Sequence, residues 1–272
     1  MTKSDVRSKI AVFVRRILGN FGFSHVNNSD VVTMSLGSKR WEQLSRFIPS
    51  RCTQDFKTFL FENIGRSHSQ YQQDLIAAHL FLNSSPNYFV EFGASDGIEG
   101  SNTLMLEKEF GWSGLLIEPA KIFQARLQEN RNVVIDYRCI SAESGNIMSF
   151  LEQDSLSTLS AYSKSDAHLR NSRINYEVET ISLNDVLKQN SSPANISFMS
   201  IDTEGSEYDI IKTFDFKKYH VAFFCIEHNN RAEGRELVTF MIENGYSLIL
   251  EELSEVDYWF LHNDLLKTQN IF

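Results

Sequence analysis

Acidic residues stand near the ends of several short apolar runs in this sequence. The first run, Tyr88–Phe92, carries Glu91 and breaks into a loop with glycines at 93 and 97. It is too short for a helix, and its aromatic and β-branched content favours a buried strand. Ser101-Asn-Thr103 then offers helix-capping residues, so the unit is predicted to be strand, glycine loop and helix. Such a loop lets a nucleotide-like ligand approach the backbone closely, and a tight turn without a ligand is the alternative.

A second acid, Glu118, ends the apolar run that begins at Gly114, roughly twenty residues beyond the glycine loop. A carboxylate at that position can accept hydrogen bonds from both hydroxyls of a ribose. The acid and the loop together therefore predict a ligand that contains a nucleoside. Dinucleotides and S-adenosylmethionine share this requirement.

Two more polar clusters end apolar runs later in the chain. Asp202, Glu204 and Glu207 lie within six residues, and Glu227-His228 follows the next run. Acids at a helix N-terminus stabilise its dipole, which explains Glu204 and Glu207 but not Asp202. If the two runs pair as parallel strands about 4.8 Å apart, Asp202, Glu227 and His228 surround one small cavity. The oxygen and nitrogen donors of these three residues suit Mg²⁺ or Mn²⁺. Alternatively, His228 acts as a general base. Taken by itself, His228 could also be a solvated residue at the end of a strand.

The elements that position these residues alternate between strands and helices from Pro86 onward, which predicts an α/β fold with a mainly parallel sheet and helices on both faces. Residues 145–180 interrupt this alternation and contain many serines, which predicts an extended, partly mobile insertion. The predicted strands are 88–92, 114–118, 133–139, 197–202, 220–226 and an antiparallel pair, 246–252 with 256–261. The predicted helices are 103–110, 119–130, 182–190, 206–214 and 231–244.

Composition limits the classes of function. The chain has 272 residues and a net charge of −9, which argues against a nucleic-acid binder because phosphate contacts need a basic surface. Its three cysteines are far apart, so neither a disulfide framework nor a zinc site is indicated. No apolar stretch approaches the roughly 20 residues that span a bilayer, and no signal-peptide core is evident. We expect a soluble, cytoplasmic protein.

Residues 1–66 are predicted to form a helical extension to a main domain at 67–272. The first twenty residues contain five basic side chains and one acid, a local charge of +4, and apolar residues recur at helical spacing over 3–21. Such a helix either packs on the main domain or a second subunit, or lies on an anionic membrane surface at the inner face of the membrane. A polar linker is predicted at about 24–37.

The motifs resemble those of the FkbM-type methyltransferases over about Gln70 to Trp259, and the first 65 residues lie outside the resemblance. Many members of that family have Lys at the position of Ser200, so no role of that lysine applies here. The resemblance rests on these segments: Phe89–Gly97, Ser101–Thr103, Leu106–Trp112, Ile117–Pro119, Thr180–Val186, Ser200–Glu207 and Ile226–Asn229.

The resemblance implies an S-adenosylmethionine-dependent O-methyltransferase with a Rossmann-like, class I seven-stranded fold. It implies an acceptor hydroxyl on a sugar, a bacterial surface glycan or a secondary metabolite. The two polar clusters at adjoining strand ends motivate the hypothesis that Asp202, Glu227 and His228 are the catalytic or metal-binding residues. The resemblance places the methionyl end of the cofactor at Glu91, Gly93 and Gly97, the ribose at Glu118, the adenine near Ser141 and Ala142, and a closing segment at Gln73 and Asp74. It also assigns Ala94, Asp96, Asn102, Pro119 and Asp202 to the cofactor site.

Two alternatives stay open at this point. One is a degenerate methyltransferase fold that serves as a binding subunit of a glycan-assembly complex. The other is an NAD-dependent oxidoreductase, which ranks lower because the Gly-x-Gly-x-x-Gly fingerprint is absent. A homo-oligomer is a further expectation.

Overall fold

The computed structural model describes residues 46–47, 52–164, 174–229 and 234–266. The chain divides into two compact units, residues 1–67 with 270–272, and residues 68–269. The predicted amphipathic helix 3–21 and the linker 24–37 lie outside the described residues, and both stay predictions.

In the described part of the first unit, residues 46–47 are helical, and a helix, α1, runs over Gln54–Asn63. It begins at Thr53, whose hydroxyl accepts a hydrogen bond from the Phe56 amide at 3.4 Å and so satisfies one free N–H of the first turn. Phe56 and Leu60, one turn apart, are fully buried, and the Phe56 ring packs edge-on against Phe47. The apolar face of α1 is therefore the core of this unit.

The second unit alternates strands and helices. Its strands are β1 Tyr88–Phe92, β2 Ser113–Ile117, β3 Val134–Asp136, β4 Cys139–Ser141, β5 Ile147–Glu152, β6 Thr158–Leu159, β7 Ile174–Ser182, β8 Asn195–Ile201, β9 His220–Glu227, β10 Tyr246–Ile249 and β11 Asp257–His262. Its helices are α2 Gln73–Leu80, α3 Leu104–Lys108, α4 Lys121–Asn130, α5 Leu183–Gln189, α6 Glu207–Ile211, α7 Gly234–Glu243, α8 Glu251–Ser254 and α9 Asn263–Leu266.

Seven strands form one sheet in the order β10-β11-β9-β8-β1-β2-β3. The four pairings from β9 to β3 are parallel, whereas β11 pairs antiparallel with both β9 and β10. The predicted seven strands and the final antiparallel pair are confirmed. The sheet is mixed, however, which corrects the prediction of a mainly parallel sheet. The connection from β10 to β11 is too short for the crossover that two parallel strands need, so β11 runs antiparallel to its neighbours.

The central strands are buried on both faces. Val90 and Phe92 of β1 join a large apolar cluster with residues of α5, α6 and α7, and the alternate residue Phe89 is also fully buried. On the side of Phe89, the Phe198 and Phe223 rings stack with their centres 5.3 Å apart. This packing fixes the ends of β1, β8 and β9, where the acidic residues follow.

A second sheet of four strands, in the order β4-β7-β5-β6, corrects two predictions. The predicted strand 133–139 is split, because the chain leaves the first sheet after Asp136 and starts β4 of the second sheet at Cys139. The region 145–180, predicted to be an extended, partly mobile insertion, contains β5, β6 and most of β7. The β5–β7 pairing is antiparallel over six residue pairs, and the serines that suggested an insertion lie mainly between the strands.

The described residues contain no helix that is both long and apolar enough to cross a membrane.

Candidate functional site

An open cleft lies at the carboxyl ends of β1, β2 and β8, where the strand order of the seven-stranded sheet reverses. Its cavity volume is about 170 Å³. The second sheet forms the facing wall. The lining residues are Gln70, Phe92, Gly93, Ala94, Ser95, Glu99, Gly100, Ser101, Ile117, Glu118, Pro119, Cys139, Ile140, Phe150, Asp154, Ser155, Ser157, Asp202, Thr203, Glu204 and Ser206.

Gly93 brings the ends of β1 and β8 together. Its backbone is left-handed, with φ of +70°, and its amide donates to the Ile117 carbonyl at 3.1 Å. A Cβ at this position would lie 2.3 Å from the backbone oxygen of Asp202. Only glycine fits so close an approach, so the glycine loop packs directly on the acidic turn.

Glu118 is held at the end of β2 by backbone amides. One carboxylate oxygen accepts from the Ser95 amide at 2.8 Å and the other from the Ala120 amide at 2.7 Å. Ser95 reaches it with a φ of +48°, an uncommon backbone for serine. Burial raises the pKa of Glu118 to about 7, although the two amide hydrogen bonds act in the opposite direction. This acid is thus fixed in the cleft before any ligand arrives.

The apolar part of the cleft comes from the start of the second sheet. Cys139, Ile140 and Phe150 line it, next to Glu118. Burial raises the pKa of the Cys139 thiol to about 12, so this side chain acts as an apolar contact. Ser141 and Ala142, predicted to lie near the adenine, do not line the cleft; Ser141 is in β4, opposite Ser182 of β7. The apolar wall lies two residues earlier in the chain than predicted.

The acidic turn after β8 gives its carboxylates different roles. Glu207 accepts from the amides of Thr203 and Gly205, each at 2.9 Å, and so closes the turn. A structural role for Glu207 was predicted from its position at the N-terminus of a helix, and these hydrogen bonds agree with that prediction. Glu204 has a left-handed backbone, with φ of +57°, and lines the cleft. Its placement therefore goes beyond dipole stabilisation.

Three carboxylates meet where β8 and β9 end. One oxygen each of Asp202, Glu204 and Glu227 lies within 4.8 Å of the others. The pKa of Asp202 is raised well above its usual value by desolvation, then by the charges of Glu204 and Glu207, while a hydrogen bond with Glu227 opposes this. Because Asp202 is exposed to solvent, the neighbouring charges contribute more to this pKa shift than desolvation does. Such a group attracts a proton or a cation.

His228 is not part of this group of donor atoms. Its ring stacks on the Tyr258 ring, with the centres 3.8 Å apart and the planes 24° from parallel. Its amide donates to the Val256 carbonyl at 2.8 Å, and the residue is buried. Of the predicted trio, the structure brings together Asp202 and Glu227, as the parallel pairing of their strands required, and supplies Glu204 as the third donor.

Several residues that were predicted to bind the cofactor hold the glycine loop through hydrogen bonds and do not line the cleft. Glu91 accepts hydrogen bonds from the Asn102 amide and nearby hydroxyls. Asp96 accepts from the amides two and three residues ahead and pairs with Arg126 at 2.7 Å. The Asn102 side chain donates to Ser200 at 2.9 Å. Gly97 is likewise absent from the lining, whereas Gly93, Ala94, Glu118, Pro119 and Asp202 are present.

Gln73 and Asp74 lie at the start of α2, away from the cleft lining. Gln73 donates to the Asp257 carboxylate at 2.6 Å, and Asp74 accepts from the His68 amide at 3.1 Å. Gln70, three residues earlier, does line the cleft. The segment that precedes α2 thus contributes to the site through a different residue than predicted.

Sequence reasoning missed the contribution of the second sheet. Asp154, Ser155 and Ser157 line the cleft beside Phe150, and the Thr158 hydroxyl donates to the Glu204 carbonyl at 3.0 Å. Four of the six residues of Ile147–Glu152 are apolar, which was a signal for this strand, but the serines around it indicated a loop.

Comparison with known proteins agrees with this geometry. No curated protein matches the chain. The model of the methyltransferase FkbM domain matches residues 91–248, which include the glycine loop, Glu118, the second sheet and the acidic turn. Since the match spans more than half of the chain, the protein belongs to the FkbM methyltransferase domain family.

Proposed function

We propose that this methyltransferase uses S-adenosylmethionine to methylate a hydroxyl group, on a Rossmann-like fold. The observation that carries the proposal is Glu118, whose two oxygens are oriented by backbone amides inside a cleft at the switch in strand order. A carboxylate held in this way is suited to accept hydrogen bonds from the two hydroxyls of a ribose.

The rest of the cleft suits the other parts of this cofactor. Gly93, Ala94 and Ser95 line the cleft between Glu118 and the acidic turn, where the methionyl chain would lie. Cys139, Ile140 and Phe150 offer an apolar surface for the adenine. The methyl group would then face the acidic turn, where Asp202 lies against Gly93.

Methyl transfer needs an activated acceptor oxygen in line with the sulfonium methyl group. The bound cofactor would supply the sulfonium methyl group, which would leave with its carbon–sulfur electron pair retained on the neutral sulfur as the new carbon–oxygen bond formed. A carboxylate of the protein would take the proton of the acceptor hydroxyl. Asp202 is suited to accept it, since the charges of its neighbours Glu204 and Glu207 favour the protonated form.

A divalent cation is a further part of the proposal. Asp202, Glu204 and Glu227 would hold it, because their oxygens are close together and hard oxygen donors fit Mg²⁺ or Mn²⁺. Such a cation lowers the pKa of a bound hydroxyl. If chelator leaves turnover unchanged and Asp202→Ala stays active, this role is wrong.

The acceptor in this proposal is a sugar hydroxyl of a glycan or a secondary metabolite. It would enter beside Asp154, Ser155 and Ser157, whose short polar side chains match hydroxyl groups. The basic apolar pattern over 3–21 supports a location at the inner membrane surface for a lipid-linked acceptor. Deleting residues 1–20 tests this through binding to anionic lipid vesicles.

Calorimetry with S-adenosylhomocysteine and NAD, followed by incubation with labelled S-adenosylmethionine and a panel of cellular glycans, tests the proposed activity. We expect one S-adenosylhomocysteine per chain, no NAD binding, and label in one glycan fraction. Binding of NAD alone would overturn the proposal. Stoichiometric cofactor binding with no labelled product would instead favour a binding subunit.

A further inference from the structure

Arg131, at the end of α4, is a fully buried cation beneath the glycine loop; its side chain has no exposed surface. Its guanidinium donates to the Gly97 carbonyl at 3.3 Å, the Ser101 hydroxyl at 3.1 Å and the Thr103 hydroxyl at 2.9 Å. It also pairs with Glu107 of α3. One side chain thus binds the loop at three positions.

Glu91 meets the same loop from the other side. Its carboxylate accepts from the Asn102 amide at 2.6 Å and from the hydroxyls of Ser101 and Thr103, and it lies 3.6 Å from Arg131. Thr103 links the two charges, because its hydroxyl donates to Glu91 and accepts from Arg131. Buried charges need such partners, since an unpaired one is costly.

Gly97 shows how closely the loop fits this cation. A Cβ at position 97 would lie 2.7 Å from Cγ of Arg131 and 2.8 Å from Cδ1 of Leu127. Its φ of +79° also favours glycine. The second glycine of the loop is therefore required for packing on Arg131, while the first, Gly93, faces the cleft.

We infer that Glu91, Thr103 and Arg131 form a positioning cluster that fixes the cofactor loop from below, and that Glu91 does not touch the cofactor. This rests on the proposed function. The side chains of all three are buried and absent from the cleft lining, whereas the loop residues Ala94 and Ser95 line it. The cluster should affect binding of both the amino-acid end and the nucleoside end of the ligand, because Ser95 of the same loop orients Glu118.

Thr103→Val and Thr103→Ser test the inference in the full-length protein. Valine has the shape of threonine but lacks the hydroxyl that links Glu91 to Arg131, whereas serine keeps it. The two probes are S-adenosylhomocysteine and 5′-methylthioadenosine, which has the nucleoside but no amino-acid end. We expect Thr103→Val to weaken both probes by the same factor, about tenfold, and Thr103→Ser to stay within about twofold of the wild type.

Glu91→Gln separates a positioning role from direct contact. Equal weakening of both probes supports the inference. Weakening of S-adenosylhomocysteine alone overturns it, because Glu91 would then contact the amino-acid end. A lower melting temperature with unchanged affinity for both probes also overturns it, since the cluster would serve stability alone. If the wild-type protein binds neither probe, the proposed function itself fails.

Discussion

The two ends of the cleft are built in opposite ways. At the end near β2, one acid, Glu118, is held by two backbone amides that offset part of the cost of its burial. At the end near β8 and β9, Asp202, Glu204 and Glu227 face one another with oxygens within 4.8 Å. The hydrogen bonds of the first end are formed without a ligand. The second end brings like charges together, and a proton, a cation or a polar substrate would relieve their repulsion.

This difference separates binding from chemistry. A site whose hydrogen bonds are preformed loses little freedom when a ligand binds, and so contributes to affinity. A cluster of repelling carboxylates contributes to affinity weakly but has the raised proton affinity that a base requires. Substitutions at the two ends should therefore change different measured quantities.

The largest expected effect is a contrast between Asp202→Asn and Glu118→Gln. We expect Asp202→Asn to lower methyl transfer to the accepting glycan fraction at least about 100-fold, with S-adenosylhomocysteine affinity within about threefold. The backbone contact with Gly93 survives this change. Glu118→Gln should instead weaken S-adenosylhomocysteine about tenfold or more, because an amide donor replaces one acceptor oxygen. Calorimetry and label transfer measure the two quantities.

Equal effects of the two substitutions on affinity would remove the distinction between the ends of the cleft. In that case the acidic end would contact the cofactor as closely as Glu118 does.

A smaller effect is expected for Thr158→Val in the second sheet. The Thr158 hydroxyl donates to the carbonyls of Thr203 and Glu204, at 3.3 and 3.0 Å, and so holds the acidic turn. Without it we expect turnover to fall about tenfold while S-adenosylhomocysteine affinity stays constant. Thr158→Ser, which keeps the donor, is the matched control and should behave as the wild type. A loss of affinity in Thr158→Val would show that the turn also supports the cofactor end.

The smallest effect concerns pH and the unliganded protein. The pKa of Glu118 rises from 4.5 to about 7 on folding. The folded state then binds the proton more tightly, so the stabilisation is present below pH 4.5 and is lost as pH rises through 7. Between pH 6 and 8 the free energy of unfolding should fall by about 1 kcal/mol through this group. Thermal denaturation of the wild type and Glu118→Gln measures it; the same slope in both proteins would assign the loss to other groups.

The sequence identified the carboxyl edge of the seven-stranded sheet because its signals are local. A short apolar run, a glycine loop and an acid at the next strand end predicted the positions of Gly93 and Glu118. Parallel pairing of β8 with β9 then brought Asp202 to Glu227.

Other residues depended on contacts that the chain makes over long separations. Arg131 ends an ordinary surface helix, and nothing in its neighbourhood indicates that a loop more than 25 residues earlier closes around it. His228 was expected beside Asp202, but it is not among the residues whose donor atoms lie together, and its ring stacks on Tyr258 of β11. The second sheet was missed because serines between its strands indicated a loop, whereas the pairing of β5 with β7 joins residues more than 20 positions apart.

The contact between Gly93 and the Asp202 carbonyl limits how this enzyme can adapt. Because a Cβ at position 93 would lie 2.3 Å from that oxygen, any side chain there would push β1 and β8 apart and disturb both ends of the cleft at once. A change of acceptor must therefore be accommodated by the opposite wall. The strands from Ile147 to Leu159 are the part of the chain to exchange or diversify when a new acceptor specificity is sought, and position 93 is the one to leave untouched.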